Sequence, residues 1–146
     1  MATGSDGPSF TKDEYVALAT FRHTLRRFAR FSEDAARAHG ITPQQHQLLL
    51  AVKGTPGRDW ATIRELAEHL QLRHHSVVGE IDRASQAGLV TREPHPEDRR
   101  AVRVRITGEG ERVLAALTAV HRRELRRVHE QLAAWRRIAS EDEGPV

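Results

Sequence analysis

Between Thr62 and Ile106 two helical spacings of apolar residues give way to an alternating one, with only short connections between, and this limits the folds open to the chain. Ile63, Leu66, Ala67 and Leu70 recur in steps of three and four, the period of a short helix with one buried face. Only Gln71-Leu72-Arg73 separates them from a second helical pattern, expected from about Arg73 to Ala87 with Gly88 just past its end. At 100° per residue Val77, Val78, Ile81 and Ala84 gather on one side of it, and His75, Ser76, Gly79 and Arg83 on the other. The period then drops to two. Val102, Val104 and Ile106 alternate with Arg103 and Arg105, as in a half-buried strand. Leu89 to Glu93 reads as a partner strand, and Pro94-His95-Pro96-Glu97-Asp98 as the turn between them.

A short helix, a tight turn and a second helix with a bare polar face make a helix-turn-helix, and a basic hairpin directly after it makes a wing. The flanks are helical. Thr11-Lys12-Asp13-Glu14 has capping-box spacing and opens a stripe of Leu18, Phe21, Leu25, Phe28, Phe31 and Ala35, closed by Gly40. Thr42-Pro43-Gln44-Gln45 starts a second helix through Leu48, Leu49 and Val52, and residues 54–59 form a loop. Thr62-Ile63-Arg64-Glu65 is a third capping box. Thr107 caps a last helical region whose stripe is Leu114, Leu117, Leu125, Val128, Leu132 and Trp135, with His121 between. The pattern does not decide whether that region is one helix or two.

The expected fold is therefore mainly α with a small antiparallel β-hairpin. A winged helix-turn-helix over 42–107 is flanked by dimerisation helices over 11–40 and 108–139, all in one domain over 11–139. Residues 1–10 read as a disordered lead-in and 140–146 as a frayed tail. The two flanking stripes exceed what a winged helix needs for its own core. They can bury each other and a partner's copies in a homodimer, which would present two reading helices to a palindromic duplex site about one DNA turn apart.

With 146 residues the chain can bury a real core, and its 38% hydrophobic and 29% charged residues are ordinary for a water-soluble protein. No apolar run reaches the ~20 residues of a membrane span, and the first residues lack the character of a signal peptide. There is no cysteine, which excludes disulfides, thiolate metal sites and a cysteine nucleophile, and suits a reducing cytoplasm. The formal net charge of +3 says little by itself. Placement says more, because Arg99, Arg100, Arg103 and Arg105 follow Asp98 with no further acid among them.

Several motifs, in order, resemble the MarR family of bacterial regulators: Thr62-Ile-Arg-Glu-Leu-Ala-Glu-His-Leu70, Arg73-His-His-Ser-Val-Val78, Ile81-Asp-Arg83, Ala87-Gly-Leu-Val90, and Pro96-Glu-Asp-Arg-Arg100 through Ile106-Thr107. Gly40-Ile-Thr-Pro43 resembles the family's approach to its second helix, and the likeness spans about residues 12 to 130. Ile106 stands where the family's wing strand usually ends in Leu. The resemblance implies a dimeric regulator, more often a repressor than an activator. A small molecule, often an aromatic acid, binds such proteins between the dimerisation helices and the reading domain and weakens their hold on DNA. It also implies that Asp98 pairs with an arginine and braces the wing while Arg99 or Arg100 approaches the minor groove.

Arg73, His75, Ser76 and Arg83 are the candidate contacts of the reading helix, since an arginine can hold guanine O6 and N7 with two hydrogen bonds. Each would otherwise be part of a solvated helix face. Gly79 on the same face either lets the backbone approach DNA or makes room for a neighbouring helix. His74 is expected nearer the buried side. Arg103 and Arg105 are expected on the outer face of their strand. His23, Arg27, His46 and Trp60 are candidate effector contacts, against structural hydrogen bonds and, for Trp60, a core plug. The chain's 9 histidines show no ligand spacing, so no metal and no cofactor is expected.

Two rival readings compete with this one. An enzyme would need a constellation that is missing, for there is no glycine-rich phosphate loop, metal motif or organised Ser-His pair, and Asp98 lies in a polar turn ill suited to raising a carboxylate pKa. A winged helix used only as a protein-interaction scaffold would need neither a basic wing nor an arginine-bearing reading face, and an architectural DNA-binding module without effector stands as the further alternative.

Overall fold

The computed structural model describes residues 7–141. Five helices and three short strands occur in the order α1 (Lys12–Ala38), α2 (Pro43–Lys53), β1 (Trp60–Thr62), α3 (Ile63–Leu70), α4 (His74–Gln86), β2 (Val90–Pro94), β3 (Val102–Ile106) and α5 (Gly108–Glu141). The fold is mainly helical with a winged helix-turn-helix at its centre, as the periodicity indicates. The last helical region is one helix of 34 residues and takes in Ser140. The expected lead-in and tail lie outside the described residues over 1–6 and 142–146.

The helix starts are set by local hydrogen bonding. Thr11 and Glu14, Thr42 and Gln45, and Thr62 and Glu65 each close a reciprocal capping box, so two of the orphan N–H groups at each start find acceptors. Thr107 accepts from the Gly110 N–H at 3.1 Å and donates to the Gly88 carbonyl at 2.6 Å, which pins the start of α5 to the end of α4. Gln71 ends α3 in the left-handed conformation with φ 54°, where glycine is the usual residue, and this makes the tight turn into α4.

The sheet has three strands in the order β1-β3-β2, not the two of a simple hairpin. The loop expected after α2 ends in β1, which pairs antiparallel with β3 through Trp60↔Arg105, Ala61↔Val104 and Thr62↔Arg103. Beyond it, β2 and β3 pair from Val90↔Ile106 to Pro94↔Val102.

The contacts divide the chain into two compact units. The unit over residues 32–121 holds the winged helix, with a core of Leu48, Leu49, Val52, Leu66, Val77, Ile81, Val104 and Leu117, each almost wholly buried. Gly110 belongs to this packing, since a Cβ there would lie 2.3 Å from the Leu89 carbonyl oxygen and 2.5 Å from the Ile106 side chain. The second unit joins residues 7–31 to 122–141. In it Phe21 stacks on Trp135 with centroids 5.1 Å apart, and buried Thr24 donates to the Thr20 carbonyl and to Gln131. The buried line of α1 here is Ala17 and Thr24. Leu18 and Leu25, one step round the helix, are 44% and 43% exposed. Among the described residues no helix is long and apolar enough to cross a membrane.

Candidate nucleic-acid interface

Helix α4 turns one side into the core through Val77, Ile81 and Ala84 and leaves the other open. Arg73, at the N-cap with no side-chain capping bond, is exposed, as are His75 and Arg83, while Ser76 and Gly79 are half-buried. His74 is exposed as well, contrary to its expected place. The helix begins at His74, so the residue sits in a first turn that projects beyond the core. A Cβ at Gly79 would meet only the Arg83 guanidinium, at 3.4 Å, so no neighbouring helix demands the space. Arg83 lies along this glycine and pairs with Glu80 at 2.8 Å. A base that takes Arg83 must compete with that carboxylate.

The wing tip presents Arg99 and Arg100, both exposed and, among the described residues, without an ion pair. Asp98 does brace the tip, but through the backbone. Its carboxylate accepts from the Arg100 N–H at 2.9 Å, its carbonyl from the Ala101 N–H at 3.1 Å, and it enters no ion pair among the described residues. His95 adds a second brace, its Nδ1 accepting from the N–H groups of Glu97 and Asp98 at 3.1 and 3.2 Å.

The strand arginines lie on the outer face of β3, opposite the buried Val104, and both are engaged there. Arg105 pairs with Glu93 across β2 and β3. The Arg103 guanidinium lies over the Trp60 ring at 4.1 Å, joined by Arg58 at 4.0 Å, and its Nε is buried without a hydrogen-bond partner. Cation–π attraction takes the place of that missing bond. Arg92, which the sequence pattern did not single out, pairs with Asp82 of α4 at 2.5 Å and reaches the Val78 carbonyl. It ties the hairpin to α4, and only the three-dimensional meeting of β2 with α4 reveals it.

The four candidate effector contacts have separate surroundings. His23 and Arg27 are exposed on α1. His46 is buried, with its ring 4.8 Å from that of His121. Burial first, then the nearby His121 and His39, push its pKa down to about 4, so it is neutral near pH 7. Trp60 carries Arg58 and Arg103 on its ring and meets the His95 ring edge-on at 5.4 Å. A cavity of about 390 Å³ opens between α2, β1 and α3, walled by Ala51, Thr55, Pro56, Ala61 and Leu66, with the Arg58–Glu65 ion pair on its lining. Neither His46 nor Trp60 lines it. Among the described residues no group of three or more His, Cys, Asp or Glu could hold a metal ion.

Comparison with known proteins agrees with this geometry. Residues 39–101 match the MarR family. A protein of Thauera aromatica, described as a putative transcriptional regulatory protein for the hcr operon, is 25% identical over 96 residues, 66% of this chain. The chain spans little more than half of that relative's length, 56%. A solved MarR family transcription regulator is 26% identical, with TM-score 0.72 over 87% of this chain and 85% of its own. AbsC, a MarR family transcriptional regulator from Streptomyces coelicolor, is 23% identical, with TM-score 0.73 over 94% and 92%. Sco3205 from the same organism, solved in complex with DNA, is 20% identical, with TM-score 0.69 over 97% and 94%. The last two likenesses are of fold.

Proposed function

Given that residues 39–101 match the MarR family and that the chain folds like its solved members, we propose that the protein is a sequence-specific, DNA-binding transcriptional regulator acting as a homodimer in the cytoplasm. The observation that carries this reading is the pairing of two exposed cationic elements, α4 and the hairpin that follows it in the chain and is tied to it by Arg92 and Asp82. The open face of α4 bears Arg73, His75, Ser76 and Arg83, and the tip after β2 bears Arg99 and Arg100, free of ion pairs among the described residues. A helix fits the major groove, where base edges are distinguishable, and an arginine at a wing tip suits the phosphates or the narrow minor groove. In this reading α4 supplies base contacts, Arg99 and Arg100 supply wing contacts, and Asp98 holds the wing backbone for them.

The homodimer is supported by the apolar residues that α1 and α5 leave open in the single chain: Tyr15, Val16, Leu18, Leu25 and Leu125 are 43–56% exposed. A second copy would cover such a row. Repression relieved by a small, aromatic effector follows from the family resemblance. His23, Arg27, His46 and Trp60 remain its proposed contacts, though the His46 and Trp60 rings would have to give up present neighbours to receive it.

The test is a titration against DNA from the region upstream of the protein's own gene, at two salt concentrations, with scrambled competitor. Competitor-resistant binding that weakens steeply with salt supports the reading, because phosphate contacts release counterions. Equal affinity for scrambled DNA points to an architectural binder, and no binding even at low salt to a protein-interaction module.

A further inference from the structure

His95 sits at the base of the wing tip and is used twice. Its Nδ1 faces two backbone N–H groups, those of Glu97 and Asp98. Both are obligate donors, so Nδ1 must carry a lone pair and the ring proton must sit on Nε2. The same ring packs edge-on against Trp60, 5.4 Å between centroids and 82° between planes. Trp60 belongs to β1 and carries Arg58 and Arg103 on its ring, so it is fixed to the body of the winged helix. His95 also closes the turn through its backbone, donating to the Ala101 carbonyl at 3.2 Å. One side chain thus links the turn that carries Arg99 and Arg100 to the strand at the far side of the sheet.

We propose that His95 is the positioning residue of the wing: its neutral imidazole holds the tip turn against Trp60, and protonation of Nδ1 releases the tip and weakens DNA binding. The effect on DNA rests on the function proposed above; the effect on the turn does not. Protonation turns the acceptor into a third donor facing two donors, and the turn loses both bonds at once. The charged groups on the elements around the ring are Glu97, Asp98, Arg99 and Arg100 in the tip, Arg92 (paired with Asp82 of α4) and Glu93 on β2, Arg103 and Arg105 on β3, and Arg58 and Asp59 before β1. They carry both signs, so the switch follows from the loss of the acceptor rather than from a one-sided field.

Two variants separate the roles. His95→Asn offers an oxygen near the Nδ1 position and cannot titrate. His95→Phe keeps a ring edge for Trp60 and offers no acceptor. Hydrogen exchange of the Glu97 and Asp98 amides, read without DNA at neutral pH and at successively lower pH, should show protection that the wild type loses once the His95 ring is protonated. His95→Asn should retain protection throughout, and His95→Phe should lack it throughout. Affinity for the upstream DNA should follow the same order, with His95→Phe weaker by about tenfold, the scale of one lost contact. Protection unchanged by pH in the wild type, or equal behaviour of the two variants, overturns the proposal. If protection follows the pattern while no form of the protein binds DNA, the wing clamp stands and the DNA-binding reading falls.

Discussion

The rings of His46 and His121 lie 4.8 Å apart, tilted by 49°, within the winged-helix unit. His121 is held from both nitrogens, by the Leu117 carbonyl at 2.7 Å and the Ser32 hydroxyl at 2.9 Å. His46 has only 5% of its surface exposed and lies in the first turn of the helix that supplies Leu48 and Leu49 to the core. A charge on His46 in so buried a place is costly, and burial first, then the neighbouring His121, depress its pKa.

That depression sets the acid side of the stability curve. In the folded protein His46 stays neutral down to about pH 4, whereas in the unfolded chain it takes a proton from its ordinary 6.5 downward. The unfolded state therefore binds more protons in this window, and stability falls as pH drops from about 6.5 to about 4. The full loss is on the order of 3 kcal/mol. Thermal melts at several pH values should show this slope, and His46→Leu should flatten it. An unchanged slope in the variant would assign the acid sensitivity elsewhere.

Arg100→Ala should weaken DNA binding by roughly tenfold while leaving Tm within about a degree, since the residue is exposed and without an ion pair among the described residues. Paired melts and binding isotherms check it. A large fall in Tm would mean that Arg100 supports the fold rather than contacts DNA.

Two glycines should respond in opposite directions. Gly110→Ala drives a methyl group into the Leu89 carbonyl at 2.3 Å and should cost about 1–3 kcal/mol or more. Gly79→Ala meets only the movable end of Arg83 and should raise stability by up to about 1 kcal/mol, the ordinary gain of alanine over glycine inside a helix. If Gly79 lets the backbone approach DNA, the same variant binds DNA more weakly despite its higher Tm. Chemical denaturation of both, with one binding curve for Gly79→Ala, reads all three outcomes.

Leu18→Glu, on the open side of α1, and Leu132→Glu, half-buried on α5, should each convert the dimer to monomer in light scattering and abolish operator binding. A dimer that survives both substitutions would place the interface elsewhere.

The sequence exposed those parts of the fold that local chemistry determines. The three capping boxes, the tight turn at Gln71, and the shift from helical to alternating period at the hairpin all rest on neighbours within a few positions. What escaped it depends on distant partners. The strand β1 has only three residues and exists because β3 lies beside it. Once it is there, Trp60 shares the outer face with Arg103 and receives its guanidinium on the ring, a neighbour that alternation within β3 alone does not show. The stripe of α1 was legible, but its buried line runs through Ala17 and Thr24 rather than the larger Leu18 and Leu25. On α4, Val77, Ile81 and Ala84 are buried and His75 and Arg83 exposed as the pattern indicates, whereas His74 is exposed and Ser76, Val78 and Gly79 are half-buried; at the wing tip the Asp98 carboxylate takes a backbone N–H rather than an arginine side chain, beside a histidine no periodicity marks.

If two copies of α4 and the wing read a defined DNA sequence, repeated selection from a pool of random duplexes at physiological salt should reveal it. The pool should become enriched in an inverted repeat with half-sites about one helical turn apart, and a combined Arg73→Ala, Arg83→Ala protein should lose that enrichment. A pool that stays random after several rounds, although the protein is folded and dimeric, would contradict sequence-specific reading by this pair of elements.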